Sequence, residues 1–177
     1  MNRLLQGDVG SGKTAVAGIA ALVAAENGFQ SAFMAPTEIL ARQHYKTFQK
    51  LFGEFEGGVG LLVAKEARIF KGEGLEAKVT KPKLLKQVAD GEIQILVGTH
   101  TLIQKSVEFR ELGLIVIDEQ HRFGVRQRAN LSKGMKVLPH FLSMSATPIP
   151  RTLMMTAFGN LDISLITELP KGRREII

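Results

Sequence analysis

Short apolar runs alternate along this chain with longer stretches whose apolar residues recur at helical spacing. Leu4-Leu5-Gln6 is the first run, and a glycine-rich turn follows it. Thr14 to Asn27 is predicted to be helical, with Gly28 as its stop signal. Ser31 to Ala35 reads as a second strand, broken by Pro36-Thr37. Thr37 can cap a helix from Glu38 to about Phe52. Val59 to Val63 is predicted as a third strand. Between Ala64 and Lys81 the pattern dissolves: Lys65, Arg68, Lys71, Lys78 and Lys81 surround Gly72 and Gly74, which reads as a mobile surface loop. Pro82, tolerated in a first turn, opens another helix that Asp90-Gly91 ends. Further strands are predicted at Ile93 to Val97, Leu114 to Ile117 and Phe141 to Met144, with a short helix after Pro150. The Leu114 run is apolar on both faces, as a central parallel strand must be.

Strand, helix and strand in repetition mean βαβ units. The predicted fold class is therefore α/β, with a mostly parallel central sheet covered by helices on both faces. Its 177 residues suffice for one such domain with a real core, so residues 1–177 are read as a single unit. Both ends look cut: the first core strand starts almost at Met1, and the tail closes on Ile176-Ile177 as if another element were about to begin. A piece of a longer protein is expected.

Composition narrows the function. The most apolar segment, Thr14 to Ala25, is short and alanine-rich and reads as a buried helix, not a membrane span. Cysteine is absent, which excludes disulfides, thiolate metal sites and cysteine nucleophiles and fits the cytoplasm. A net charge of +6 favours an anionic partner, nucleic acid first.

The chemistry is concentrated in two segments. Gly7-Asp8-Val9-Gly10-Ser11-Gly12-Lys13-Thr14 matches the phosphate-binding P-loop, following an apolar strand and opening an apolar helix as that motif requires. Gly7, Gly10 and Gly12 let the backbone turn tightly with its N–H groups inward, and the helix start adds its positive dipole end. Lys13 can reach the β- and γ-phosphates of ATP, and the Thr14 hydroxyl can ligate Mg²⁺. The second segment, Asp118-Glu119-Gln120-His121, follows the Leu114 strand. Asp118 suits Mg²⁺, directly or through water, and Glu119 is placed to polarise an attacking water. His121 is a candidate for sensing the γ-phosphate or linking to a later motif. In parallel sheets ligands sit beyond the carboxyl ends of the strands, where these segments fall.

Five segments in order carry a resemblance: residues 7–14; Ala35-Pro36-Thr37-Glu38-Ile39-Leu40-Ala41-Arg42-Gln43-His44; Val97-Gly98-Thr99-His100; Asp118 to Val125; and Ser145-Ala146-Thr147-Pro148-Ile149-Pro150-Arg151-Thr152. Together they resemble the first RecA-like lobe of a superfamily 2 helicase, above all the RecG branched-DNA translocases. The transcription–repair coupling factors are near relatives. Gln120, where that relative usually carries a second Glu, and Ser11, where it usually has an aromatic residue, favour RecG.

The resemblance implies a bacterial, cytoplasmic, nucleoid-associated motor that uses ATP and Mg²⁺ to remodel stalled forks and Holliday-type junctions. It further implies DNA-backbone contacts from Pro36, Thr37, Gly98, Thr99 and His100, and coupling of nucleotide state to DNA grip through Ser145, Ala146 and Thr147. The Ser145 strand is placed by the resemblance between the P-loop strand and the acidic strand. Arg42 is a weak DNA candidate beside its reading as a solvated helix residue. The family's upstream adenine-reading glutamine segment, its second RecA-like lobe with an arginine finger, and its amino-terminal wedge domain are not seen in this sequence. The isolated piece is therefore expected to bind nucleotide and hydrolyse it poorly. Two other readings stand beside this one: a non-helicase P-loop enzyme such as a nucleotide kinase, and a binding module that does not turn over.

Overall fold

The computed structural model describes residues 1–72, 75–104, 106–119, 138–147 and 161–167. The elements follow in the order β1 (Asn2–Gly7), α1 (Lys13–Glu26), β2 (Gln30–Met34), α2 (Glu38–Leu51), β3 (Val59–Val63), β4 (Glu66–Lys71), β5 (Leu75–Val79), α3 (Lys81–Ala89), β6 (Ile95–Gly98), a 3₁₀ turn (His100–Ile103), β7 (Leu112–Asp118), β8 (His140–Ser145) and β9 (Asp162–Ile166). The predicted helix after Pro150 lies outside the described residues.

Among the described residues the strands form one nine-stranded sheet, ordered β5-β4-β3-β6-β2-β7-β8-β1-β9. Pairings from β3 to β9 are parallel, and β3-β4 and β4-β5 are antiparallel. The expected mostly parallel α/β sheet is therefore present. Successive side chains on a strand point to opposite faces, so each central strand feeds two cores. Phe33 and Ala35 pack beneath α1 and α2 with Ala17, Ala21, Ala41, Tyr45 and Phe48. Ala32 and Met34 turn the other way, toward Leu84 and Val88 of α3 and Leu102 of the 3₁₀ turn. Phe33 and Phe48 meet edge to face, ring centroids 5.1 Å apart. Burying one such phenylalanine contributes about 2–3 kcal/mol by area.

Local chemistry sets the helix ends. Thr37 caps α2, its hydroxyl accepting from the Leu40 N–H at 3.3 Å. After α1, Gly28 sits at φ 79°, its N–H bonding the Ala25 carbonyl and that of Phe29 the Ala24 carbonyl. That pair of bonds and the left-handed glycine are the Schellman closure.

The sequence expectation fails between residues 64 and 81. The segment read as a mobile loop contains β4 and β5, an antiparallel extension of the sheet. Ala67, Ile69 and Phe70 of β4 are buried. Strand β5 is mostly exposed, and backbone ladder bonds to β4 hold it. Arg42 pairs with Glu38 within α2 and with Glu66 of β4, and Arg68 with Glu66 within β4 and with Glu76 of β5. The Arg42 side chain, 38% exposed, lies on the partly solvated face of α2 and is tied there to two carboxylates. Strand β9 is a second element that the sequence pattern does not predict. It extends the sheet beyond β1, where Arg3 donates to Ser164 Oγ at 2.8 Å.

Candidate functional site

The order β2-β7-β8-β1 gathers the chemistry at the carboxyl ends of neighbouring parallel strands. Strand β1 runs into the glycine-rich turn, β7 ends at Asp118, and β8 lies between them. In register, Ser145 stands beside Gln6, and Met144 beside Asp118. The position expected for the Ser145 strand is the one observed.

The glycine turn is an open cradle. Gly10 and Gly12 have φ 83° and 91°, a region that side-chain-bearing residues avoid. A Cβ on Gly12 would meet nothing within 4 Å, so its glycine is required by conformation and not by crowding. At Gly7 space decides instead: a Cβ would approach Ser11 Oγ to 2.6 Å and Ile166 Cβ to 3.0 Å. The Lys13 ammonium donates to the carbonyl oxygens of Gly7 and Asp8, both at 2.7 Å. It is thereby folded back over the turn. Ser11 Oγ is buried with no hydrogen-bond partner among the described residues. A buried hydroxyl in that state costs free energy until something fills it.

Opposite the cradle, Asp118 and Thr14 are joined through His44 of α2. The His44 ring places Nε2 2.7 Å from Asp118 Oδ2 and Nδ1 3.4 Å from Thr14 Oγ1. His44 closes the Ala35–His44 segment that carries the family resemblance, and the sequence alone assigns it no role. The signal that finds it is tertiary: its nitrogens meet residues 30 and 74 positions away.

Glu119 follows β7 with φ 53°, the one non-glycine residue with positive φ among those described. A side chain there costs roughly 1–2 kcal/mol, and such strain collects where a side chain must be aimed. His121 lies outside the described residues, as does Gln120.

The segments expected to meet DNA are neighbours. Met34 pairs with Gly98 across β2 and β6, and the Ala35 N–H donates to the Gly98 carbonyl at 2.9 Å. Pro36 and Thr37 therefore leave the sheet beside Thr99 and His100. His100 is exposed, whereas the Thr99 side chain is buried, its hydroxyl 3.5 Å from that of Thr101. Any phosphate contact at Thr99 must then come from its backbone. Gly98 is held to glycine by the Leu62 carbonyl, 2.5 Å from where a Cβ would stand. At the end of β8, Ser145 Oγ and Thr147 bond one another: the Thr147 N–H donates to Ser145 Oγ at 3.2 Å. The expected coupling hydroxyls thus close a turn of their own beside the acidic strand, with Ala146 between them.

The DEAD/DEAH box helicase model matches residues 1–156 of this chain. The ATP-dependent DNA helicase RecG of Aquifex aeolicus is 53% identical over 178 residues, covering 100% of this chain and 21% of that protein. RecG of Bacillus subtilis is 53% identical over 177 residues, covering 99% and 24%. The chain thus spans only about a fifth to a quarter of these relatives. Among solved structures, RecG bound to a three-way DNA junction matches with TM-score 0.75 and 44% identity over 99% of this chain and 22% of that one. The helicase domain of Pyrococcus furiosus Hef matches with TM-score 0.65 at 20% identity, over 94% of this chain and 35% of that one, a likeness of fold. These neighbours share the RecA-like helicase fold. With both the motif order and this identity running from end to end, the chain belongs to the DEAD/DEAH box helicase family, as a homologue of the first motor lobe of RecG.

Proposed function

We propose that this chain is the ATP-binding motor lobe of a helicase that remodels branched DNA, working with a second RecA-like lobe of the same polypeptide. The observation that carries the reading is the convergence, at the carboxyl ends of the parallel strands, of the glycine cradle, the Asp118 strand end and the Pro36/Gly98 pair, in a chain so similar to RecG. A cytoplasmic, nucleoid-associated place in a bacterium follows from that role.

The residues fit a magnesium nucleotide. Ser11 Oγ is a buried hydroxyl in want of a partner, and the Lys13 ammonium can exchange two carbonyl oxygens for phosphate oxygens. Among the described residues no three metal-ligating side chains converge. Nucleotide-bound Mg²⁺ needs only one or two protein ligands beside the phosphates, so Thr14 and Asp118 suffice. When bound, Mg²⁺ offsets charge developing on the phosphates. The chain's own residues bind and orient: Gly7, Asp8, Gly10 and Gly12 shape the cradle, and the first-turn N–H groups of α1 face the phosphates. Glu119 accepts a proton from the attacking water. Pro36, Thr37, Gly98 and Thr99 offer backbone or hydroxyl groups, and His100 its ring, to DNA phosphates without reading sequence. Ser145, Ala146 and Thr147 stand between the two strand ends and pass nucleotide state to DNA grip.

An arginine finger from a partner lobe is worth on the order of a thousandfold or more in rate, so this lobe alone binds ATP and turns it over slowly. The test is ATP hydrolysis by the full-length protein with and without three-way junction DNA, beside calorimetry of Mg²⁺-ATP on the 177-residue chain. Junction-stimulated hydrolysis in the first and binding in the second are expected. Stimulation by a small phosphate acceptor and not by DNA would replace this reading with that of a kinase.

A further inference from the structure

We infer that His44 is a positioning residue that orients Thr14 and Asp118 together from behind, an inference that rests on the magnesium-nucleotide site proposed above. His44 is 7% exposed, and its ring lies against Phe33 with centroids 4.7 Å apart. Both ring nitrogens are engaged, one on each candidate metal ligand.

The proton assignment follows from the partners. An ionised carboxylate only accepts, so Nε2–H donates to Asp118 Oδ2 at 2.7 Å. In the neutral ring Nδ1 is then left to accept the proton of the Thr14 hydroxyl, 3.4 Å away. Each bond disposes of what a metal ligand must keep out of the way. A hydroxyl ligates through its oxygen lone pair and must send its proton elsewhere. A carboxylate that ligates through one oxygen is free to rotate unless the other is fixed. One imidazole meets both needs, in the manner of the outer partners that orient metal ligands.

Packing alone does not account for this geometry. A ring present only to fill the space beside Phe33 would be served by phenylalanine, with no polar atom brought into a buried position. The helix that carries His44 is also the one capped by Thr37, so the same element touches the metal pair and opens at the candidate DNA surface.

The test uses the 177-residue chain and three variants. His44→Phe keeps the ring and its packing but removes both nitrogens. His44→Asn places an amide near Nδ1 and reaches only Thr14. His44→Gln places one near Nε2 and reaches Asp118. Calorimetry measures a non-hydrolysable ATP analogue with Mg²⁺ and in excess EDTA, and electron paramagnetic resonance follows Mn²⁺ in the nucleotide complex. His44→Phe is expected to weaken the Mg²⁺-dependent binding about 10–100-fold, the range for lost outer partners of a metal ligand. Binding in EDTA should stay at the wild-type value, the Mn²⁺ signal should change, and His44→Gln should restore part of the loss.

Wild-type Mg²⁺-dependent binding in His44→Phe, or an equal loss with and without metal, overturns the inference and leaves the nucleotide site standing. Should His44→Phe fail to fold, His44→Asn decides by the same comparison. A wild-type chain that binds no magnesium nucleotide sinks the site reading and this inference together.

Discussion

Replacing Lys13 by alanine tests the cradle most directly. In the structure the ammonium makes charge-assisted bonds of 2.7 Å to two backbone carbonyls, those of Gly7 and Asp8. Phosphate binding exchanges these for bonds to anionic oxygens, so the gain is a difference and not a full pair of new bonds. Hydrogen bonds to charged groups contribute about 1.5–3 kcal/mol each, and surrendering the carbonyl pair offsets part of that. A net loss of about 2–3 kcal/mol for Lys13→Ala follows, or roughly 30–150-fold in Kd for Mg²⁺-ATP. Fold stability should hold or rise by a few tenths of a kcal/mol, about the effect of removing a cation from a helix N-terminus. Calorimetry with ATP, ADP and adenosine supplies the readout, with urea unfolding as the control. The loss should be largest for the triphosphate and absent for the nucleoside. A variant that binds ATP within about threefold of wild type would refute the exchange, since that ratio is under 1 kcal/mol. So would an equal loss for ATP and adenosine.

Other expectations follow from named contacts. Glu119→Gln in the full-length protein should keep nucleotide affinity while ATP turnover falls about 10²–10⁴-fold, the range for a lost proton acceptor; unchanged turnover would remove Glu119 from the chemistry. Gln30 is buried and bonds the carbonyls of Val88 and Ile93 and the N–H groups of Arg110 and Glu111. Gln30→Leu should cost about 3 kcal/mol or more because those groups lose their partner, and a loss under about 1 kcal/mol in urea unfolding would contradict the reading. Tyr45 is the only tyrosine in a chain without tryptophan, so alkaline ultraviolet difference spectra report it alone. Burial, with the Glu76 carboxylate adding to it, pushes its phenol well above the ordinary 10.0. The native state then holds a proton that the unfolded chain releases, so this group's contribution to stability is complete below pH 10 and is lost as pH rises toward its folded value. Tyrosinate absorbance that appears at the free-tyrosine pH while the chain is still folded would contradict it.

Features written in contiguous residues were legible from the sequence. The glycine cradle, the Thr37 cap and the Gly28 closure each depend on neighbours within a few positions, so residue type and spacing fix them. The doubly apolar Leu114 run likewise required a central strand, because both of its faces had to be buried. Edge strands escaped that logic. Strand β5 is exposed along most of its length and β9 along much of it, so neither needs a strong apolar pattern; backbone pairing to a neighbour makes each a strand. The more distant partners, Glu66 for Arg42 and Glu76 for Arg68, became visible only once β4 and β5 were paired onto the sheet beside β3. The Thr14-His44-Asp118 bridge is tertiary for the same reason. Its members come from α1, α2 and β7, and helix phase together with sheet order, neither of which any single segment encodes, decides that one ring faces both. A glycine-rich turn and an acidic strand end are legible in contiguous residues; packing of the helices on the sheet decides which side chain joins them.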